Sequence, residues 1–200
     1  HVGIYGETGS GKSTFLDLLM GLIEPSSGSI FVDDQLINNK SNPELLTRWR
    51  FEISHVPQDI FLLDTSFLFN IAFGSKSYEI NKNKIKKAAE IAQISNYIES
   101  CANGYKEFVG ERGIKLSGGQ KQRIGIARAL YKPFSVLILD EATSALDSET
   151  ERKVINQIYK FYKDITIFSV AHREKTLLNC DRVFEIKDGI IKEKLLNKKK

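Results

Sequence analysis

Apolar positions along this chain of 200 residues follow two periods. Val2 and Ile4 stand two apart and predict a short opening strand. Beyond a Gly-rich stretch, Phe15, Leu18, Leu19 and Leu22 recur at i, i+3, i+4 and i+7, the mark of a helix with one buried face. Glu24-Pro25-Ser26-Ser27-Gly28 is turn chemistry, and 29–32 reads as a strand with Asp33-Asp34 as an exposed turn into a second strand. Residues 53–57 predict another short strand. From Phe67 to Tyr131 the period is helical: Ile85, Ala88, Ala89 and Ala92 form a stripe beside a lysine-rich face, and Ile124, Ala127 and Tyr131 share one side of a helix over 120–131. Val136-Leu137-Ile138-Leu139 is an unbroken apolar run, as in the centre of a parallel sheet. Ser148-Glu149-Thr150-Glu151 predicts a capping box opening a helix that buries Val154, Ile155 and Ile158. Strands over 165–170 and 183–186 and a hairpin-like turn at Asp188-Gly189 complete the pattern. Strand–helix alternation interrupted by a helical block predicts one domain, an α/β core over 1–66 and 132–200 carrying a helical subdomain over 67–131.

Composition narrows the class without changing this picture. Apolar content of 42% and charged content of 27% are ordinary for a globular chain. No apolar run approaches the roughly 18 residues needed to span a bilayer, and the sequence predicts no signal peptide within it. Cys101 and Cys180 lack metal-like spacing and read as reduced packing thiols. The net charge of +4 gathers partly in Lys192, Lys194, Lys198, Lys199 and Lys200, which read as a solvated terminus rather than a nucleic-acid or lipid patch. The chain opens on His1 and enters a strand at once, predicting an N-terminally truncated piece of something longer.

Three stretches carry chemistry. Gly6-Glu7-Thr8-Gly9-Ser10-Gly11-Lys12-Ser13 fits G-x-x-x-x-G-K-[ST] and joins the first strand to the first helix. Its glycines let successive N–H groups turn inward around a polyphosphate, and the helix beyond points free N–H groups and a positive dipole end at the same anion. In such a loop Lys12 reaches the β- and γ-phosphates and the Ser13 hydroxyl ligates Mg²⁺. The strand 136–139 delivers Asp140 and Glu141 to its carboxyl end, where open parallel sheets place their ligands. There Asp140 suits Mg²⁺, directly or through water, and Glu141 suits an attacking water. Leu116-Ser117-Gly118-Gly119-Gln120 is a second Gly-rich segment opening a helix, hence a second anion site.

In this order the motifs resemble the nucleotide-binding domain of ATP-binding cassette (ABC) proteins, over essentially the whole chain. Residues 6–13 match Walker A, Gln58 the Q-loop, 116–120 the signature and 136–141 Walker B. Ser144-Ala145-Leu146-Asp147 resembles the D-loop and His172 the switch histidine. The resemblance implies a P-loop NTPase (RecA-like) α/β core with a small antiparallel β region and an inserted helical subdomain bearing the signature. It implies ATP bound by Gly6, Glu7, Thr8, Gly9, Ser10, Gly11, Lys12, Ser13 and Thr14 with Gln58, Asp140 and His172. It further implies Mg²⁺ held by Ser13, Gln58 and Asp140, and hydrolysis carried by Glu141, His172 and Gln58. A second ABC domain is expected as a head-to-tail partner, with Ser117, Gly118, Gly119, Gln120 and Asp147 acting in trans.

The subtype follows from three further stretches. Val109-Gly110-Glu111-Arg112-Gly113 resembles the X-loop of exporters, and Glu141-Ala142-Thr143-Ser144-Ala145-Leu146-Asp147 has the exporter spelling. Residues 61–71 resemble the surface that grips a membrane domain's coupling helices, although Leu68 and Phe69 stand where exporters commonly carry charge. The resemblance therefore implies Mg²⁺-dependent ATP hydrolysis powering export or flipping on the cytoplasmic face of the cell membrane (the inner membrane if bacterial). The expected partner is a transmembrane domain of the same transporter, on the same longer chain, and no nucleic acid. The alternative is a soluble ABC ATPase of translation or DNA repair. The family's adenine-stacking aromatic belongs to a strand expected before position 1.

Overall fold

The structure, a computed structural model, describes residues 1–37, 42–171, 177 and 179–194. They fall into two compact units, one built from 1–54, 134–138 and 166–200, the other from 55–133 and 139–165. No helix among the described residues is long and apolar enough to cross a membrane.

Strand β1 (Val2–Tyr5) belongs to the first unit. With β4 (Ile53–Val56), β5 (Val136–Asp140), β6 (Thr166–Ala171), β7 (Arg182–Lys187) and β8 (Ile190–Lys194) it forms a sheet in the order β4-β5-β6-β1-β7-β8. β1 runs parallel to both neighbours, Ile4 lying opposite Val170 on β6 and Phe184 on β7. β8 returns antiparallel through Asp188 and Gly189, whose φ of 51° and 74° are the left-handed pair of a two-residue hairpin turn. A separate ribbon pairs β2 (Ile30–Val32) with β3 (Gln35–Ile37) through Asp33 and Asp34, at φ 47° and 64°. Both predicted turns are therefore present.

Helix α1 (Lys12–Leu19) buries Leu16, with Met20 just past its end, against Ile4, Ile53, Val136, Ile138, Val170 and Ile186. Each such side chain contributes roughly 1.5–3 kcal/mol over exposure. This corrects the predicted stripe: Phe15 and Leu19 are only partly buried, and Leu22 is 57% exposed. The reason is a helix stop. Gly21, at φ 66°, donates to Leu18 O (3.0 Å) and Leu22 donates to Asp17 O (2.8 Å), the paired bonds of a Schellman ending. The period continues in the sequence after the helix has ended. Helix α2 (Pro43–Glu52) was not anticipated, yet its start is written in Asn42-Pro43-Glu44. Asn42 accepts from Leu45 N–H (3.1 Å), and proline occupies the first turn. Trp49 Nε1 donates to Leu19 O at 2.7 Å, and Arg50 donates to Gly21 O, fastening α2 to the end of α1.

The second unit contains α3 (Phe67–Ile71), α4 (Lys82–Ile91), α5 (Ser95–Ser100), α6 (Gly118–Tyr131) and α7 (Ser148–Phe161). α4 buries Ile85, Ala88 and Ala89, with Ala92 at its cap, as the stripe predicts. α6 is buried over most of its length. A Cβ on its Gly125 would fall 2.4 Å from Ile60 Cδ1, so this helix can lie against Ile60 only as built. Tyr131, expected on an apolar side, turns its hydroxyl to accept from Asn81 N–H (3.0 Å). α7 buries Val154 and Ile158, with Ile155 half-buried, but its cap is one residue earlier than expected. Asp147, not Ser148, accepts from the N–H groups of Glu149 (3.1 Å) and Thr150 (2.9 Å). Glu151 is instead engaged by the Thr143 hydroxyl at 2.6 Å. A carboxylate outcompeted a hydroxyl for the same orphan donors.

Candidate functional site

In the first unit, the carboxyl end of the central strand β1 runs into residues 6–11 and then α1. Gly6 must be glycine for space: a Cβ there would lie 2.4 Å from Ile186 O and 2.6 Å from Ser10 Oγ. Gly11, at φ 106°, is the N-cap of α1 and makes no side-chain bond, so the helix offers its first N–H groups outward rather than to a cap. Lys12 folds back over the loop, Nζ donating to Gly6 O (2.8 Å) and Glu7 O (2.9 Å). Glu7, Thr8, Gly9, Ser13 and Thr14 are exposed around it. The donor set of uncapped amides, an ammonium and the Ser13 hydroxyl suits a polyphosphate anion.

In the second unit, Gln58 follows β4 and donates Nε2 to Glu141 Oε2 at 3.0 Å. Asp140 closes β5, and Glu141 follows with φ 49°, a left-handed conformation uncommon for a non-glycine residue. The turn continues through Ser144 N–H to Glu141 O (3.1 Å) and Leu146 N–H to Thr143 O (3.0 Å), then ends at the α7 cap. Hydrogen bonds from Thr150, by its side chain and then its backbone, hold the Asp147 carboxyl below its usual value. Burial lowers the Arg123 guanidinium, with the Asp147 carboxylate pulling the other way.

The signature segment sits at the start of α6. Ser117 Oγ accepts from Gln120 N–H (3.3 Å), and Gln120 Oε1 accepts from Ser117 N–H (2.8 Å), a reciprocal capping box. The unit thus gathers Gln58, Asp140, Glu141, the 144–147 turn and residues 117–120. Residues 6–14 stand in the other unit, and His172 lies outside the described residues. Among the described residues no cluster of three or more His, Cys, Asp or Glu can hold a metal. Mg²⁺ bound through phosphate oxygens, water and one or two protein oxygens needs no such cluster, so Ser13, Gln58 and Asp140 fit it by donor type.

Two functional candidates escaped sequence reasoning. Gln122 is 6% exposed; it stands in register with Ile126, Ala129 and Leu130, and an amide on a buried stripe was the available signal. Arg128, on the same helix, donates Nε to Asn70 O (2.9 Å), Nη1 to Phe61 O (2.9 Å) and Nη2 to Asn70 Oδ1 (3.1 Å). It thereby holds the stretch after Gln58. That stretch also pairs with the 107–109 segment, through Phe67 N–H to Glu107 O (3.0 Å) and Val109 N–H to Thr65 O (3.1 Å). Phe61, Leu63, Phe69, Phe73 and Phe108 stay exposed on these segments.

A Gly-rich loop between a central parallel strand and an uncapped helix, with a lysine folded over it, defines a P-loop nucleotide-binding α/β domain. The chain belongs to the ABC transporter family, whose profile matches residues 1–144, and is an ATPase domain of that family. It is 40% identical over 193 residues to ABC transporter B family member 6 of Dictyostelium discoideum, covering 96% of this chain and 28% of that protein. It is 39% identical over 193 residues to the ATP-dependent lipid A-core flippase of Ralstonia nicotianae, covering 96% and 32%. A bacterial Atm1-family ABC exporter solved with ATP bound superposes with a TM-score of 0.86 at 37% identity, over 94% of this chain and 32% of that one. The chain therefore spans about a third or less of the length of these relatives.

Proposed function

We propose that this chain is the motor of a membrane exporter or flippase, binding and hydrolysing ATP on the cytoplasmic face beside a transmembrane domain of the same longer protein. It is one ABC domain, core 1–66 and 132–200 with subdomain 67–131. Residues 6–14 cradle the phosphates, Lys12 exchanging its contacts with Gly6 O and Glu7 O for the β- and γ-phosphates. Ser13, Gln58 and Asp140 hold Mg²⁺, which when bound neutralises phosphate charge. Glu141 orients and deprotonates the attacking water, with Gln58 hydrogen-bonded to it and His172 contacting the γ-phosphate. Ser117, Gly118, Gly119, Gln120 and Asp147 serve a second ABC domain packed head-to-tail. The exposed phenylalanines of 61–73 and Phe108 face the membrane domain. The exporter and flippase relatives favour this over a soluble ATPase of translation or repair.

The observation that carries the shared-site reading is the presence of two Gly-rich helix starts, at Gly11 and Ser117, in one chain. The test mixes two inactive full-length variants. Lys12→Ala damages the first motif and Ser117→Arg the second. Shared sites restore partial ATPase activity, because a heterodimer holds one intact composite site, and the activity rises with protein concentration. With exchange between the variants confirmed by tagged pull-down, a mixture inactive at every ratio refutes the shared site.

A further inference from the structure

We propose that Gln122 is a positioning residue for hydrolysis, tying the turn that carries Glu141 to the helix that begins at the signature. The inference rests on the hydrolytic role given to Glu141 above. An amide buried to 6% exposure is costly unless paired, and Gln122 is paired three times. Its Nε2 donates to Ser144 Oγ (3.0 Å) and Glu141 O (3.4 Å), and its Oε1 accepts from Ala145 N–H (2.9 Å). All three partners belong to one turn, 141–145. That turn needs an outside hold, because Glu141 occupies the left-handed region that a side chain disfavours. Helix α6 meets the same turn a second time, three residues earlier. A Cβ on Gly119 would lie 3.0 Å from Ala145 O and 3.4 Å from Leu146 Cδ2. Gly119 and Gln122 share a helix face at i, i+3. A displacement of the signature is therefore carried to the backbone of Glu141 through one amide. The reach is direct: the signature serves one nucleotide, and Glu141 acts on another.

The test uses the full-length protein and four variants: Gln122→Met, Gln122→Glu, Glu141→Gln and the double variant Gln122→Met with Glu141→Gln. Turnover, KM for MgATP and ATP affinity are measured for each, with single-turnover rates for the slow ones. Gln122→Met lowers kcat by about tenfold or more while KM and ATP affinity stay within about twofold, since the carboxylate is misplaced and the nucleotide is not. In the Glu141→Gln background the same change costs less than about twofold, because no carboxylate is left to place. Gln122→Glu still accepts from Ala145 N–H but donates only when protonated, so its rate relative to the parent rises as pH falls. That profile tests the inference even if Gln122→Met fails to fold. Parental turnover in Gln122→Met, an equal fractional loss in both backgrounds, or a flat pH profile relative to the parent for Gln122→Glu each overturns it. Full turnover in Glu141→Gln instead refutes the hydrolytic reading of Glu141. An inactive Glu141→Gln beside an active Gln122→Met sinks only the role of Gln122.

Discussion

Replacing Arg128 by methionine keeps an unbranched stem and deletes a charged fork. The fork makes three hydrogen bonds, two to Asn70 and one to Phe61 O, and its guanidinium carbon lies 5.0 Å from the Phe73 ring. Burial lowers its pKa from the ordinary value, and an arginine nevertheless stays charged at neutral pH. Bonds from a charged donor contribute about 1.5–3 kcal/mol each when fully buried. Arg128 is half-buried and shares its charge with water, so the set comes to about 2–4 kcal/mol, with about 0.5 kcal/mol from the ring. Arg128→Lys retains one ammonium that cannot span Phe61 O and both Asn70 acceptors, and loses about 1–2 kcal/mol. Urea unfolding followed by far-UV circular dichroism is weighted toward the second unit, which holds five of the seven α-helices among the described residues. With a slope of about 2 kcal/mol per molar, Arg128→Met shifts that midpoint down by about 1–2 M. Trp49, the one tryptophan of the sequence, stands in the other unit and gives a second signal on the same samples. A shift below about 0.3 M, or an Arg128→Lys variant indistinguishable from the parent, would refute the claim that this fork holds the 61–73 stretch.

Lys12→Ala weakens ATP binding by about tenfold or more, measured by calorimetry with Mg²⁺ present, because the loop loses the charge that balances the phosphates. Gly21→Ala costs at least about 1–2 kcal/mol in Trp49-detected unfolding. A methyl there meets a left-handed backbone at φ 66° and a leucine carbon at 2.4 Å, so an unchanged midpoint would discredit the helix stop. Tyr105 is pushed up to about 12, by burial first and then by Glu99 and Glu90, and its hydroxyl has no partner among the described residues. The folded chain therefore holds this proton longer than the unfolded one. The stabilisation is complete below the ordinary phenol value of 10.0 and is lost as pH rises from there through about 12. Tyr105→Phe removes that part of the alkaline decline without lowering stability at neutral pH. Denaturant midpoints across that range check both halves of the statement.

Much of the fold was legible because local chemistry and global placement agree where the signals are strong. The 136–139 run became a strand with every apolar residue buried, and Asp33-Asp34 and Asp188-Gly189 became the turns their composition suggests. What misled was periodicity read across a stop. Leu22 continues the spacing of α1 arithmetically, but Gly21 ends the helix first. At α7 a serine and the aspartate before it both suit the cap, and the carboxylate of Asp147 takes the two N–H groups. On the candidate site, motif spacing named the residues proposed to face a nucleotide and could not name those that hold them. Gln122 and Arg128 act through bonds to residues 19 to 67 positions away in sequence, and no local period encodes such partners.

The capping box at the signature has a consequence for how a ligand is met. A serine hydroxyl in water samples three rotamers and must surrender that freedom when it binds. Here Ser117 Oγ is already committed as acceptor to the Gln120 N–H, and Gln120 Oε1 is committed to the Ser117 N–H. A hydroxyl carries one proton besides its two lone pairs, and nothing among the described residues receives that proton. The rotor is stopped before any anion arrives, with its donor still in hand. The ordering entropy has been met during folding, so an oxygen reaching this helix start gains the hydrogen bond at a smaller entropic cost.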